Sequence, residues 1–322
     1  MSLSNMVVFN QQLNTAIVEK LTQNSDLFNA ASGGAIILAN AMNMGDYKEE
    51  AFWDNVGSAA IRDIDAYAAQ AGVSSTLLTQ SQINTVKAMK GFGPIEWEPN
   101  QITWINKNPG EALSVISTTL AGAMLEAQVN RAIGVGVAAI SNVAGLTNDI
   151  SASAGVTQSA LNNTHALFGD ASQRLITQVM TGTVYHKLIG DALTNTGQLF
   201  TAGNVTVVDI LGKRTIVTDA PDLYLAGTPN KAKILCLSAG SITIEPNGDF
   251  NANIETSNGQ TRIETTYQAE WSENVGVKGY SWDTTNGGKS PLTAELNTGS
   301  NWDIELELKN TAGVILIADA DL

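Results

Sequence analysis

Residues that could support catalysis are few and far apart in this sequence. The only two histidines, His165 and His186, are 21 positions apart, which matches no usual zinc-binding spacing on a helix. General acid–base catalysis needs titratable groups with tuned pKa values that lie close together, and carboxylate pairs such as Glu49-Glu50 are typical of solvated faces. We therefore predict no catalytic residues and no metal site, and we interpret both histidines as packing or solvent-facing residues.

The single cysteine, Cys236, lies in the apolar run Ile234-Leu235-Cys236-Leu237. One cysteine excludes an intrachain disulfide and a thiolate metal cluster. We interpret Cys236 as a small core residue, and this usage is typical of a reducing compartment.

Two segments match parts of nucleotide-binding motifs. Gly134 to Ala139 has the G-x-G-x-x-A pattern, but it falls late in a predicted helix and not between a strand and a helix. Gly288-Lys289-Ser290 resembles the end of a phosphate loop, but Asp283 replaces the earlier glycine and Pro291 follows. We predict close helix packing at the first segment and no cofactor at either.

The composition favours a protein with a large core and extensive subunit contacts. Of the 322 residues, 43% are hydrophobic and only 15% are charged, and the net charge is −14. A usual soluble protein is about a quarter charged. The 17 basic residues are scattered among 31 acidic ones, which argues against direct DNA binding. No signal peptide is visible, and the apolar run at 132–139 is too short to span a bilayer.

A long helix is predicted from Asn108. Asn108 is a favourable N-cap, Pro109 suits the first helical position, and Glu111 can complete a capping box. The apolar face continues to Ile140, so about 33 residues at 1.5 Å each give a rod of roughly 50 Å. The helix is either a long core helix or the spine of an elongated subunit.

The segments before this helix are less regular. Leu13, Ile17 and Leu21 form a weak helical pattern that is broken at residues 32–34, which predicts an arm with one or two short elements. Apolar residues at helical spacing between 56 and 71 predict a helix. The turn signal at residues 91–94 predicts a hairpin formed by 83–89 and 95–97.

Three helices are predicted between residues 157 and 193. The second is predicted to begin at Asp170 with Gln173 as its capping partner and to carry the apolar residues of 175–180. The third follows Gly182.

Alternating patterns from about residue 200 predict strands. A hairpin is predicted around Gly212-Lys213, between 205–208 and 215–217, and further strands at 233–237, 241–244, 262–271 and 275–282. At the end, Trp302, Ile304, Leu306 and Leu308 alternate with charged residues, and a turn at 310–313 leads into 314–317. This predicts a closing hairpin with one buried face, whose outer face carries Glu305 and Glu307. The predicted class is α+β.

The order of these elements resembles a known architecture. Several segments are also similar to one group of phage capsid proteins, and the resemblance covers about residues 80–318: Leu167-Phe168-Gly169-Asp170-Ala171, Val184-Tyr185-His186-Lys187-Leu188, Leu211-Gly212-Lys213-Arg214, Val217-Thr218-Asp219-Ala220-Pro221 and Trp302 to Val314. The sequence thus resembles the Hong Kong 97-type major capsid proteins of tailed bacteriophages.

This resemblance implies a division of the chain. It implies an N-terminal arm (1–45), an extended loop region (46–106), a peripheral domain with the spine helix (107–160), an axial domain with a central β-sheet (161–298), and closing strands that return to the peripheral domain (299–322).

The resemblance also implies the function. The protein would not be an enzyme but would assemble as hexamers and pentamers into the icosahedral head that encloses double-stranded DNA, without sequence-specific DNA binding and without a membrane. It would be located in the virion after assembly in the host cytoplasm. The expected partners are a separate scaffolding protein, since no long N-terminal extension is present, a portal and decoration proteins. The candidate contacts with an adjacent subunit are aromatic, because aromatic residues dominate interface energetics: Phe52, Trp53, Trp97 and Trp104. The alternative, above all for Trp104, is packing inside the subunit.

Three other functions remain open from the sequence. A cellular nanocompartment shell of the encapsulin type would use the same fold without DNA. A soluble α+β enzyme would need a pocket of convergent titratable groups. A tail tube protein would be dominated by sheet and would lack the long helix.

Overall fold

The computed structural model describes residues 3–39, 42–53, 61–75, 77–78, 80–195, 212–258 and 261–322. In these parts of the chain it contains six α-helices. They are α1 (Leu3–Ala31), α2 (Pro99–Lys107), α3 (Pro109–Ser141), α4 (Gln158–Ala166), α5 (Gly182–Asn195) and α6 (Thr293–Leu296).

The strands form two sheets. They are β1 (Ile36–Leu38), β2 (Tyr47–Trp53), β3 (Gln80–Trp97), β4 (Thr147–Asp149), β5 (Leu175–Met180), β6 (Arg214–Val217), β7 (Tyr224–Leu225), β8 (Lys231–Ser238), β9 (Ile242–Pro246), β10 (Asn251–Ser257), β11 (Glu264–Val277), β12 (Tyr280–Trp282), β13 (Trp302–Ile304) and β14 (Gly313–Asp319). The first sheet has the order β1-β9-β11-β12-β13, with β10 and β3 also paired to β11 and β2 paired to β3. The second has the order β4-β14-β8-β5-β6, with β7 paired to β8.

Helix α3 has the predicted length of 33 residues and begins at Pro109. The predicted capping box is wrong, because the Asn108 side chain makes no capping hydrogen bond. Asn108 instead connects α2 directly to α3: its N–H donates to the Trp104 carbonyl, and its own carbonyl accepts from Ala112. This end of α3 is exposed, so solvent can reach the free N–H groups.

The second half of α3 is the centre of the larger core. All residues from Arg131 to Ile140 are buried, and the G-x-G-x-x-A segment lies here, within the helix, as predicted. A Cβ atom on Gly136 would lie 2.6 Å from Ile242 Cδ1, which shows how closely the helix packs. Helix α3 as a whole is long and apolar enough to span a membrane, whereas the apolar run at 132–139 within it is too short. Buried core helices meet the same criterion.

The N-terminal segment forms one helix of 29 residues, so the prediction of one or two short elements within the arm is wrong. Phe9, Leu13 and Ile17 are buried in a second core, with Met124 of α3 and Tyr267 of β11. The helix ends where the sequence indicated, since Gly33 and Gly34 have φ values of +67° and +76°. Its pattern is weak because only one narrow face is covered.

Two predictions for residues 46–106 are also wrong. Residues 61–75 contain no helix; the first part of the predicted helix, at 56–60, lies outside the described residues. Residues 83–97 form one strand and not a hairpin, because β11 pairs with β3 on both sides of the 91–94 segment. The turn signal corresponds to a shift of register at Tyr267 and Ala269, opposite Gly93, whose φ is +95°.

The first and third helices of the 157–193 region are confirmed, and the second is wrong. Residues 169–174 form a 3₁₀ turn, and residues 175–180 form β5, which lies between β8 and β6 in the second sheet. Four consecutive buried residues, 177–180, suit a strand covered on both faces, and such a short apolar run cannot be distinguished from a helix by its periodicity.

The closing hairpin is wrong as well. β13 pairs with β12 in the first sheet, whereas β14 pairs with β8 and β4 in the second. Only Trp302 of the alternating run is buried, and Glu305 and Glu307 lie outside any strand. The strands predicted at 233–237 and 241–244 are confirmed as β8 and β9. The strand predicted at 275–282 is divided: residues 275–277 continue the 262–271 segment as β11, and residues 280–282 form β12. The predicted strand at 205–208 lies outside the described residues.

Candidate assembly surface

Of the histidines and the cysteine, for which no catalytic role was predicted, two are buried and one is exposed. Cys236 is fully buried, and burial raises the pKa of its thiol to about 12. His165 is buried beside Gln178, with 3.3 Å between the two side-chain nitrogens, and burial together with the Lys213 charge lowers its pKa. His186 is exposed and lies edge-on to Tyr185. Among the described residues, no group of three or more His, Cys, Asp or Glu side chains could hold a metal ion.

Packing residues also line the cavity beside α1, within the part of the chain that the structure describes. One cavity of about 230 Å³ lies between α1, α3 and β11, and its lining includes Leu21, Met124 and Trp271. A polar side chain there, Gln128, donates to Glu273 at 2.9 Å and so belongs to a buried structural network. The surface of the protein is therefore the more informative place to look for function.

A two-stranded ribbon extends from the first sheet. Among the described strands, β2 pairs with β3 alone, in a register from Tyr47 opposite Val86 to Trp53 opposite Gln80. β3 then continues along β11 from Val86 to Trp97, so the ribbon is anchored in a central strand. Residues 54–79 connect the two strands at the far end of this ribbon.

The connection is exposed throughout its described part. All residues of 61–75 and 77–78 are exposed, and the only local order is a turn in which the Tyr67 N–H donates to Asp65 Oδ1 at 2.9 Å. Large apolar side chains are exposed here and at the base of the ribbon: Met42 (90%), Met44 (98%), Ile61 (80%), Ile64 (75%), Tyr67 (99%), Val73 (61%) and Leu77 (81%). So many exposed apolar residues in one segment mark an interaction site.

The four aromatic candidates divide into two pairs. Trp53 is 64% exposed at the end of the ribbon, and Phe52 beside it is half-buried. Trp97 stacks on Tyr267, with ring centroids 6.2 Å apart, and Trp104 packs against the core between α1 and α3. The last two residues thus have a packing role within the subunit, and their contact with a neighbour stays a prediction.

The sequence did not identify the exposed apolar residues of the loop as a surface. Ile64 and Tyr67 match a helical period, and we interpreted that period as a helix face. An apolar pattern indicates that residues become buried, but it does not tell whether their own chain or another one buries them.

Comparison with known proteins gives the family and the fold. The family model described as Gp13-like, major capsid protein 13-like, matches residues 5–315. No curated protein sequence matches the chain.

Three solved structures share the architecture at low sequence identity. The cyanophage Pam1 capsid asymmetric unit is 13% identical, with a TM-score of 0.52 over 86% of each chain. A structure from Mycobacterium phage Cain is 10% identical, with a TM-score of 0.55 over 90% of this chain and 89% of the other. The head structure of Helicobacter pylori bacteriophage KHP40 is 9% identical, with a TM-score of 0.50 over 89% and 88%. The predicted α+β capsid fold is confirmed.

Proposed function

We propose how this chain, which belongs to the Gp13-like major capsid protein family and is a shell-forming subunit of a phage head, builds its shell. Residues 46–80 of each subunit would bind to the surface of a neighbouring subunit. We call residues 46–80, the first part of the extended loop region, the extended loop. The observation that carries the proposal is that all residues of 61–75 and 77–78 are exposed. They include six large apolar side chains, namely Ile61, Ile64, Tyr67, Val73, Leu77 and Leu78.

The energetics favour a covered loop. Burial of one Leu, Ile or Tyr side chain stabilises by about 1.5–3 kcal/mol. Little of this stabilisation is available within their own chain to Ile61, Ile64, Tyr67 and Leu77, because each is at least 75% exposed. Contact with a second copy would recover it, and closed symmetry would repeat the same contact around the shell.

The ribbon supports this function mechanically. Because β3 is hydrogen-bonded to both β2 and β11, it holds the loop away from the two cores. Trp53, at the end of the ribbon, would be the first anchor on the neighbour, followed by Phe52. Trp97 and Trp104 would contribute mainly by packing the base.

The domain division is proposed with one refinement. The arm (1–45), the extended loop region (46–106), the peripheral domain (107–160) and the axial domain (161–298) follow the family architecture. Of the closing strands (299–322), β13 extends the first sheet, whereas β14 pairs with β8 in the second sheet.

The partners are part of the proposal. The subunits would form hexamers and pentamers around double-stranded DNA, with a scaffolding protein, a portal and decoration proteins supplied separately. A net charge of −14 supports a wall that contains DNA without binding its sequence. The role of the chain would be structural and not catalytic.

Replacing residues 61–75 with a short Gly/Ser linker tests the loop. The variant is expected to remain folded, because these residues contribute nothing to either core, but to form no shells. Circular dichroism and thermal unfolding would measure the fold, and electron microscopy of the expressed full chain would measure assembly.

A matched control is Leu27→Ser with Leu292→Ser. Both leucines are exposed, by 70% and 69%, and lie outside the extended loop. This control is expected to assemble. Normal shells from the linker variant would contradict the proposal.

A further inference from the structure

Four basic side chains lie at one end of the second sheet. We call Arg174, Lys213, Arg214 and Lys278 the cationic patch. Arg174 precedes Leu175, which pairs with Ser238, and Arg214 pairs with Thr177 of the same strand. Lys278 reaches the same end, because its Nζ lies 3.4 Å from Ser238 Oγ.

Neutral oxygens hold these cations in place. Arg214 donates to the Ala30 carbonyl at 3.0 Å, and its side chain lies across Gly33 at the end of α1. Lys213 donates to Ser172 O at 3.3 Å, and Lys278 to Ala239 O at 3.0 Å. Arg174 donates to Asn310 Oδ1 at 2.7 Å. These hydrogen bonds orient the four side chains, but their neutral acceptors do not neutralise the positive charges.

Within the described residues, none of the ion pairs involves a member of the cationic patch. Burial and the nearby positive charge of Arg174 lower the pKa of Lys278. Asp170, four positions before Arg174, pairs with Lys309 at 2.6 Å. The Glu305 N–H donates to the carbonyl of Gly279, the residue after Lys278, so Glu305 lies at the edge of the patch. The patch therefore keeps excess positive charge in a strongly acidic chain.

Apolar residues border the patch. Leu308 is 41% exposed and Leu167 is 38% exposed. Along the chain, Leu308 directly precedes Lys309, and Leu167 lies three positions before Asp170, the partner of Lys309. The next residue, Asn310, accepts the hydrogen bond from Arg174. The surface thus offers positive charge with apolar side chains beside it.

The extended loop has the complementary character. It contains six acidic and two basic residues, a net charge of −4. In its described exposed part, 61–75 and 77–78, Asp63 and Asp65 lie among Ile61, Ile64 and Tyr67. Together with Arg62 they give this part a net charge of −1. A partner for this segment must offer both cations and apolar contacts.

We propose that the cationic patch of one subunit receives the extended loop of a neighbouring copy, with Asp63 and Asp65 opposite Arg174, Arg214 and Lys278. The inference rests on the proposed loop function and assigns its docking site. Packaged DNA is the less favoured occupant, because phosphates would use the four cations but not the leucines beside them, and the rest of the chain is acidic.

A cysteine pair tests the contact directly. In shells of an Asp65→Cys/Arg214→Cys variant, mild oxidation with diamide is expected to link successive subunits into a ladder of covalent multimers on denaturing gels. The native Cys236 is fully buried and stays out of this reaction. The control pair, Asp65→Cys/Lys107→Cys, uses an exposed lysine outside the patch, and neither it nor the single variants are expected to form a ladder. A missing ladder, or an equal one from the control pair, overturns the proposal.

Charge reversal tests the same contact without cysteines. Arg214→Glu/Lys278→Glu and Asp63→Lys/Asp65→Lys are each expected to raise the concentration needed for assembly at least about tenfold, whereas the combination of all four is expected to restore it to within about threefold. Lys107→Glu controls for the charge change. Each variant is first checked for wild-type thermal unfolding.

The outcomes separate the two proposals. If the combination of all four substitutions does not restore assembly, the docking site is overturned. It is also overturned if Arg214→Glu/Lys278→Glu forms normal shells that contain less DNA, because that result would assign the patch to nucleic acid. If the linker variant at 61–75 forms no shells while the patch variant assembles normally, the loop docks elsewhere and only this inference fails. Normal shells from the linker variant contradict both.

Discussion

Glu273 shows how one side chain can hold two elements together. It is fully buried in β11 and accepts hydrogen bonds from Trp271 Nε1 at 2.7 Å and Gln128 Nε2 at 2.9 Å. It also forms an ion pair with Arg131 of α3. Beside it, burial and the Arg131 charge lower the pKa of Lys90 to about 8, although Glu273 opposes this shift. Where α3 packs on β11, the Glu273 carboxylate thus balances the positive charges of Arg131 and Lys90.

Glu273→Gln is expected to lower the free energy of unfolding by about 3–5 kcal/mol, because it leaves Arg131 buried without a counter-charge. Chemical denaturation of dispersed subunits would measure the loss. The same substitution at Glu96, whose ion pair with Arg262 is about 45% exposed, is expected to cost less than about 1 kcal/mol. Equal losses at the two positions would contradict this account.

At the scale of elements, α3 contains glycines with different roles. A Cβ atom on Gly134 would lie 2.5 Å from Asp222 Oδ2 and 2.7 Å from Asn297 Oδ1, and those two residues are hydrogen-bonded to each other. A Cβ atom on Gly122 would meet nothing within 4 Å. The first glycine allows close packing, and the second only weakens the helix.

Gly134→Ala is expected to destabilise the subunit by about 1–2 kcal/mol, since overpacking outweighs the gain in helix propensity. Gly122→Ala, in the same helix, is expected to stabilise it by roughly 0.5–1 kcal/mol. Thermal unfolding of the two variants would show shifts of opposite sign. Stabilisation by both substitutions would mean that the contact at Gly134 adapts without cost.

At the scale of the whole molecule, two hydrophobic cores share α3 and β11. The larger surrounds the second half of α3 and both sheets, and the smaller lies under α1. Leu13 is fully buried in the smaller core, whereas Leu27 of the same helix is 70% exposed. Local opening should therefore affect the two cores separately.

Leu13→Ala is expected to remove about 2–5 kcal/mol of stability from the smaller core. Hydrogen exchange measured by mass spectrometry should accelerate in α1 and β10, while β8 and β14 remain protected. Leu27→Ala should leave all four unchanged. Uniform acceleration after Leu13→Ala would show that the two cores unfold as one unit.

Elements fixed by interactions close in the chain were predicted from the sequence, whereas elements fixed by distant pairing were not. The start of α3 and the turn after α1 were predicted, because Pro109 and the Gly33-Gly34 pair act on their own backbone. The strand β5 and the separation of β13 from β14 were not predicted, because they depend on pairing with β8, β4 and β12, which are distant in sequence.

By itself, the sequence determined the α+β class, the long helix, the burial of Cys236 and the absence of any predicted catalytic set. Only the tertiary structure decided which strands pair. It also decided that the apolar residues of 61–78 are exposed, whereas Trp97 packs on Tyr267. The physical reason is that hydrophobic periodicity reports the demand for burial along the chain. The partner that meets this demand is fixed by non-local packing, within the subunit for Trp97 and, as we propose, between subunits for the extended loop.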